Sequence, residues 1–162
     1  MAAILIIGYG NPIRGDDAVG LLAARELESY FRDDDEIEVI AARQLMPEMA
    51  ETIARSGFVL FVDASREQPG RIRSTLIDPH RSSNGCNHHL TPASLLMTAE
   101  HVYQGFAIGM ILTLGGWSFD VGEALSPSAQ KSLPELVRQA KDVVAQHRAI
   151  LQDTIDPCLP AE

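Results

Sequence analysis

At 162 residues, 46% of them hydrophobic, the chain is long enough to bury one core without disulfides or a structural metal, and a single domain is the default. Lys and Arg total 13 against 22 Asp and Glu, and the resulting charge of −9 repels a nucleic-acid backbone, so nucleic acid is not expected as a partner. Cys86 and Cys158 are too few for a disulfide framework and lack Cys-x-x-Cys spacing for zinc, so free thiols are expected.

No basic leader precedes the first apolar run, and no run approaches the roughly 18 residues of a membrane span, so a cytoplasmic protein with no membrane partner is expected. Ile4-Leu5-Ile6-Ile7 is aliphatic throughout and reads as a strand buried on both faces. Gly8, Gly10 and Gly15 then permit backbone angles closed to other residues. Asp16 is placed to cap a helix, and Asp17 falls in its first turn, where the helix dipole favours a carboxylate. Val19, Leu22, Ala23, Leu27 and Tyr30 follow at helical spacing, up to about Arg32, and Asp33-Asp34-Asp35-Glu36 reads as a solvated turn.

Ile37 to Ile40 is a second strand and Ala41 to Leu45 a loop. Pro47-Glu48 opens a helix over Met49 to Arg55, which Ser56-Gly57 stops. Phe58 to Val62 is a third strand without a polar member, and Asp63 stands at its C-terminal end. After a turn around Pro69-Gly70, Arg73 to Ile77 reads as a less buried strand, and Asp78 to Asn87 as a loop. Thr91 and Pro92 suit the cap and first position of a helix whose core stripe is Leu95, Ala99, Val102 and Tyr103, with Gly105 ending it.

Ala107 to Leu114 is a fifth strand. Ser126-Pro127 opens a last helix presenting Leu133, Leu136, Val137, Ala140, Val143 and Val144 on one face, and Pro134 is expected to split or kink its start. Residues 1–152 read as one domain and 153–162 as a flexible tail. Strands alternating with helices predict a three-layer α/β domain with a mostly parallel sheet, whose strand order the pattern leaves open.

Asp17, Asp63 and either His88 or His89 fall where such a sheet presents ligands, beyond the carboxyl ends of its strands. Two carboxylates and an imidazole suit nickel, zinc or manganese with positions left for water or substrate. Singly, each has a plainer role: Asp63 as a strand-end cap, His88 as a loop histidine. His80, His101, His147 and Trp117 have no partner motif and are assigned to packing or solvent. Neither Gly-x-Ser-x-Gly nor His-Glu-x-x-His occurs, which leaves serine-hydrolase and ordinary zincin chemistry without support. Gly8-x-Gly10 invites a dinucleotide reading, but Ile13 stands where the third glycine belongs and no acid follows Ala41-Ala42 to bind a ribose. Cys86 lies near His88, yet nothing marks its thiol as activated.

Gly8-Tyr9-Gly10-Asn11 after a strand, then Asp16-Asp17-Ala18-Val19-Gly20, resembles the opening signature of the hydrogenase maturation endopeptidases, which trim the C-terminus of the large subunit of nickel-iron hydrogenases. Asp63, His88 with Leu96 eight residues on, Gln44-Leu45 and Leu125-Ser126-Pro127 extend the likeness along the chain. It implies a five-stranded sheet with one antiparallel strand. Asp17, Asp63 and His88 are implied as metal-contacting and catalytic residues, with His89 the adjacent rival. Nickel is the implied metal, carried by the substrate. The implied partner is the large-subunit precursor, met by a monomeric endopeptidase that removes its C-terminal extension.

The family often has Glu where Asp17 stands, a methylene longer but the same ligand type. Asp16 is expected to support the site by capping the helix and orienting the loop, above a floor of Gly8, Gly10 and Asn11. The competing reading is a nickel carrier or docking module that cuts nothing.

Overall fold

In the computed structural model, which describes residues 2–81 and 89–155, the first apolar run is strand β1, Ile4–Tyr9. Its side chains alternate between two cores, Ile4 and Ile6 on one face and Leu5 and Ile7 on the other, which is why no polar residue interrupts it. Strand β2 is Ile37–Ala42, β3 Phe58–Ser65, β4 Ile72–Leu76 and β5 Ile108–Gly115. They form one sheet in the order β2-β1-β3-β5-β4, parallel except for the antiparallel β4–β5 pair. The mostly parallel sheet with one antiparallel strand is as expected, and β4 begins one residue before the predicted Arg73.

Helices α1 (Val19–Tyr30) and α4 (Pro127–Ile155) cover the face of Ile4 and Ile6, where Val19, Leu27, Leu136 and Val144 meet Phe58 and Leu60. Helices α2 (Met49–Ala54) and α3 (Pro92–Tyr103) cover the other, packing Ile53, Leu95 and Ala99 against Leu5 and Phe61. None of the described helices is long and apolar enough to cross a membrane.

Four local expectations are corrected. Helix α4 is not split at Pro134 but runs through it as one element, because Pro134 and Gln130, whose carbonyl loses its partner, are exposed and water can replace the missing bond. Helix α3 ends with Gln104, not Gly105, in the left-handed conformation at φ 54; Gly105 serves instead to let Ala54 approach, since a Cβ there would lie 2.1 Å from its carbonyl oxygen. Val102 and Tyr103, expected in the core stripe of α3, are exposed at its last turn, whereas the acidic turn after α1 is solvated as expected, with Arg148 of α4 pairing with Asp34 and Glu36. Finally, a 3-10 turn over Gly15–Ala18 precedes α1, so Asp16 lies inside this turn and caps nothing. Thr91 does cap α3, its hydroxyl accepting from the Ser94 N–H while Ser94 Oγ accepts from the Thr91 N–H.

Candidate active site

The carboxyl ends of β1 and β3 lie side by side, Gly8 paired with Val62, so the residues that follow both strands share one edge of the sheet. A cleft of about 370 Å³ opens there, lined by Tyr9, Gly10, Asp17, Arg43, Gln44, Leu45, Asp63, His89 and Leu90. Asp17 and Asp63, separated by 45 residues of chain, therefore face one cleft, as the sequence predicts, and Gln44-Leu45 form its wall. His89 lines it too, whereas His88 and Cys86 fall outside the described residues.

Asp17 is held by the loop it faces. Its Oδ2 accepts from the Asn11 N–H at 2.8 Å, and a Cβ on Gly10, which sits at φ 156, would lie 1.7 Å from the Asp17 carbonyl oxygen. The loop thus closes tightly over the end of the 3-10 turn, and the Asn11 N–H fixes one carboxylate oxygen of Asp17.

Asp63 closes the other side. Its Oδ1 accepts from the Ala64 N–H at 2.8 Å. Burial pushes its pKa up to about 6, against hydrogen bonds from the Tyr9 hydroxyl and the Ala64 N–H, and the charge of Asp17 adds to the rise. Burial, the Asp63 carboxylate and the Asp17 charge together raise the Tyr9 hydroxyl far above its ordinary pKa, so it stays a protonated donor. Among the described residues neither Asp17 nor Asp63 is paired with a cation. Two adjacent carboxylates short of compensating charge form a site that a cation, or a group carrying one, would neutralise.

Asp16, next in the chain, is 1% exposed and turns the opposite way. Its Oδ2 accepts from the N–H of Trp117 at 2.7 Å, the N–H of Ser118 at 3.1 Å and the hydroxyl of Ser126 at 2.9 Å, and its Oδ1 from the N–H of Ser126 at 2.8 Å. Burial alone would raise its pKa, but these four bonds outweigh that and hold the carboxyl below its usual value. The predicted supporting role stands with a different mechanism: Asp16 clamps the β5–α4 loop to the turn that carries Asp17. Ser126 serves both ends, since its Oγ also accepts from the Ala129 N–H at the start of α4.

Tyr9 is the residue that sequence reading passed over. Its signal was there, an aromatic at the end of an aliphatic strand between two glycines, but its partner lies 54 residues away and only strand pairing makes them neighbours. His80 and His101 belong elsewhere, His80 near Glu100 and His101 bonded to the Met97 carbonyl, and His147 stacks on Phe58. Among the described residues, no group of three His, Cys, Asp or Glu side chains is placed to hold a metal ion; the third member of the predicted set, His88, is not one of them.

No protein-family model matches the chain, and no curated protein matches it by sequence. Solved structures do match by fold. The NiFe hydrogenase maturation protease HycI from Thermococcus kodakarensis aligns with a TM-score of 0.72 at 22% identity over 89% of this chain and 93% of that one. The hydrogenase maturating endopeptidase HybD from E. coli aligns with a TM-score of 0.74 at 19% identity, covering 91% and 94%. The hydrogenase 2 maturation peptidase from a Thaumarchaeota archaeon gives 0.63 at 16% identity, covering 88% and 97%. The chain shares their α/β fold along nearly its whole length.

Proposed function

We propose that the protein is an endopeptidase of hydrogenase maturation, removing the C-terminal extension of a nickel-loaded large-subunit precursor. The observation that carries this reading is the convergence of Asp17 and Asp63, without a paired cation among the described residues, in one cleft at the carboxyl edge of a sheet whose fold is that of the maturation proteases. Nickel belongs to the substrate. Asp17, Asp63 and the histidine at 88, with His89 beside the cleft as its rival, receive the precursor's metal, so that only a loaded precursor is seated.

The scissile bond is then brought to the cleft with its metal. Asp63, with a pKa of about 6 in the metal-free cleft, is ionised at neutral pH and ready to meet the metal, and attack on the carbonyl is promoted by metal polarisation or by a carboxylate-activated water. The Tyr9 hydroxyl, protonated throughout, keeps the Asp63 carboxylate oriented. Asp17, fixed through Asn11, contributes the second negative charge that draws the metal in.

Intact mass spectrometry tests this. A nickel-loaded precursor should lose one C-terminal peptide on incubation with the protein, a nickel-free precursor should not, and Asp17→Ala and Asp63→Ala should abolish the loss. A stable nickel-dependent complex with no loss of mass would instead support a carrier or docking protein.

A further inference from the structure

The β5–α4 loop, residues 116–126, is long, exposed and yet tied down. Four hydrogen bonds to buried Asp16 hold Trp117, Ser118 and Ser126, and three more join backbone to backbone, from the Gly122 N–H to the Ile13 carbonyl, from the Gly15 N–H to the Glu123 carbonyl and from the Asp16 N–H to the Ser118 carbonyl. These bonds lay the loop beside the β1–α1 turn and hold its shape.

What the anchored surface displays is apolar, with two arginines among its charges. Ile13 is 57% exposed and Val121 70%, on neighbouring backbone segments, and Trp117 is 41% exposed farther along the loop. Arg14 follows Ile13, and Arg66, at the end of β3, stacks its guanidinium over Phe119 of the loop at 4.5 Å from the ring centre. Among the described residues neither arginine is in an ion pair with a carboxylate, unlike Arg55, Arg73, Arg138 and Arg148 but like the remaining arginines of the chain. Asp120 and Glu123 are also on the loop, and Glu123 is engaged by the Ser118 hydroxyl at 2.8 Å. Tryptophan, isoleucine and unpaired arginine on a rigid support have the composition of a protein-binding surface, and rigidity removes the ordering cost that a mobile loop would pay on binding.

We infer that the Asp16-anchored loop and the β1–α1 turn form a docking wall for the folded body of the protein substrate, with Ile13, Trp117 and Val121 meeting apolar surface and Arg14 and Arg66 meeting carboxylates. The inference rests on the proposed endopeptidase reading and adds to it: the substrate is recognised through its folded surface as well as through its metal and the segment that is cut. The wall adjoins the cleft, because Ile13 lines a groove together with Arg43 and Gln44, and those two residues also line the cleft. The partner's matching surface is accordingly apolar and acidic, in reach of its C-terminal segment.

The test is steady-state cleavage of the nickel-loaded precursor by the wild type, by Ile13→Ser with Val121→Ser, by Arg14→Ala with Arg66→Ala, and by a control pair, Val102→Ser with Phe106→Ser. The control residues are as exposed but lie at the end of α3 and before β5, at the opposite edge of the sheet. Both wall variants should raise KM roughly tenfold with kcat within about twofold, the scale expected when anchor contacts are truncated, while the control leaves both constants unchanged. Added salt should raise the wild-type KM and affect the arginine variant less. An unchanged KM in both wall variants, or an equal rise in the control, overturns the docking wall while leaving the protease intact. A wild type that neither binds nor cuts the precursor overturns both.

Discussion

Asp16 and Asp17 are neighbours in the chain and opposites in the fold. Asp16 is buried and takes four hydrogen bonds from residues more than 100 positions away. Asp17 takes one, from Asn11, and with Asp63 faces an open cleft. A carboxylate whose lone pairs are filled by the protein has settled into structure, whereas one left short of partners keeps its capacity for a ligand. The same contrast separates Asp16 from Asp63 electrostatically, because hydrogen bonds hold the first below its ordinary pKa and burial lifts the second above it.

Substitutions should divide along that line. The largest effect is expected on cleavage: Asp17→Asn and Asp63→Asn, which keep shape and remove charge, should each lower kcat/KM on a nickel-loaded precursor by at least about 100-fold while the thermal midpoint does not fall. A loss of activity matched by unfolding would erase the distinction between the two carboxylates. Asp16→Ala should act the other way. It strands the N–H groups of Trp117, Ser118 and Ser126, at a cost of about 3 kcal/mol, which lowers the midpoint by roughly 10 °C in calorimetry.

The pH dependence sharpens the comparison because the signs are opposite. Asp63, with a folded pKa of about 6 against 3.8 for the free side chain, binds more protons folded than unfolded between those values. Its contribution therefore makes the metal-free protein less stable as pH rises from about 4 to 6, by up to about 3 kcal/mol. Asp63→Asn should remove that slope and stabilise the protein at pH 7, as read by urea titrations at successive pH values. Asp16, with a lowered pKa, contributes stability that is fully present above 3.8 and lost as pH falls through its folded value, so Asp16→Asn should flatten the acid limb below pH 4. The smallest effect belongs to Ser126→Ala, which removes one hydroxyl bond to Asp16 and the cap on Ala129, about 1 kcal/mol in the same titrations.

Much of this was legible before any coordinates. The aliphatic runs at Ile4 and Phe58 mark strands whose two faces are both buried, because a parallel strand covered by helices has no wet side to advertise. Thr91-Pro92 marks a helix start because cap and first-turn geometry are local, and Thr91 does cap α3. The positions of Asp17 and Asp63 after strands predicted their meeting, since strand ends in such a sheet share an edge. Gly105 was misread because its role is set by a distant partner, Ala54, that local pattern does not reveal.

What the sequence by itself determined is therefore what short-range chemistry determines: which segments are strands and helices, where the chain turns, and that two acids stand at strand ends. The strand order, the antiparallel placement of β4, the Tyr9–Asp63 contact and the capture of the β5–α4 loop by Asp16 were decided by tertiary structure alone. Each depends on groups 33 to 110 residues apart, brought together by burying two cores against one sheet. A carboxylate reads the same in the chain whether it is destined for four donors or for a substrate, and only the packing around it settles which.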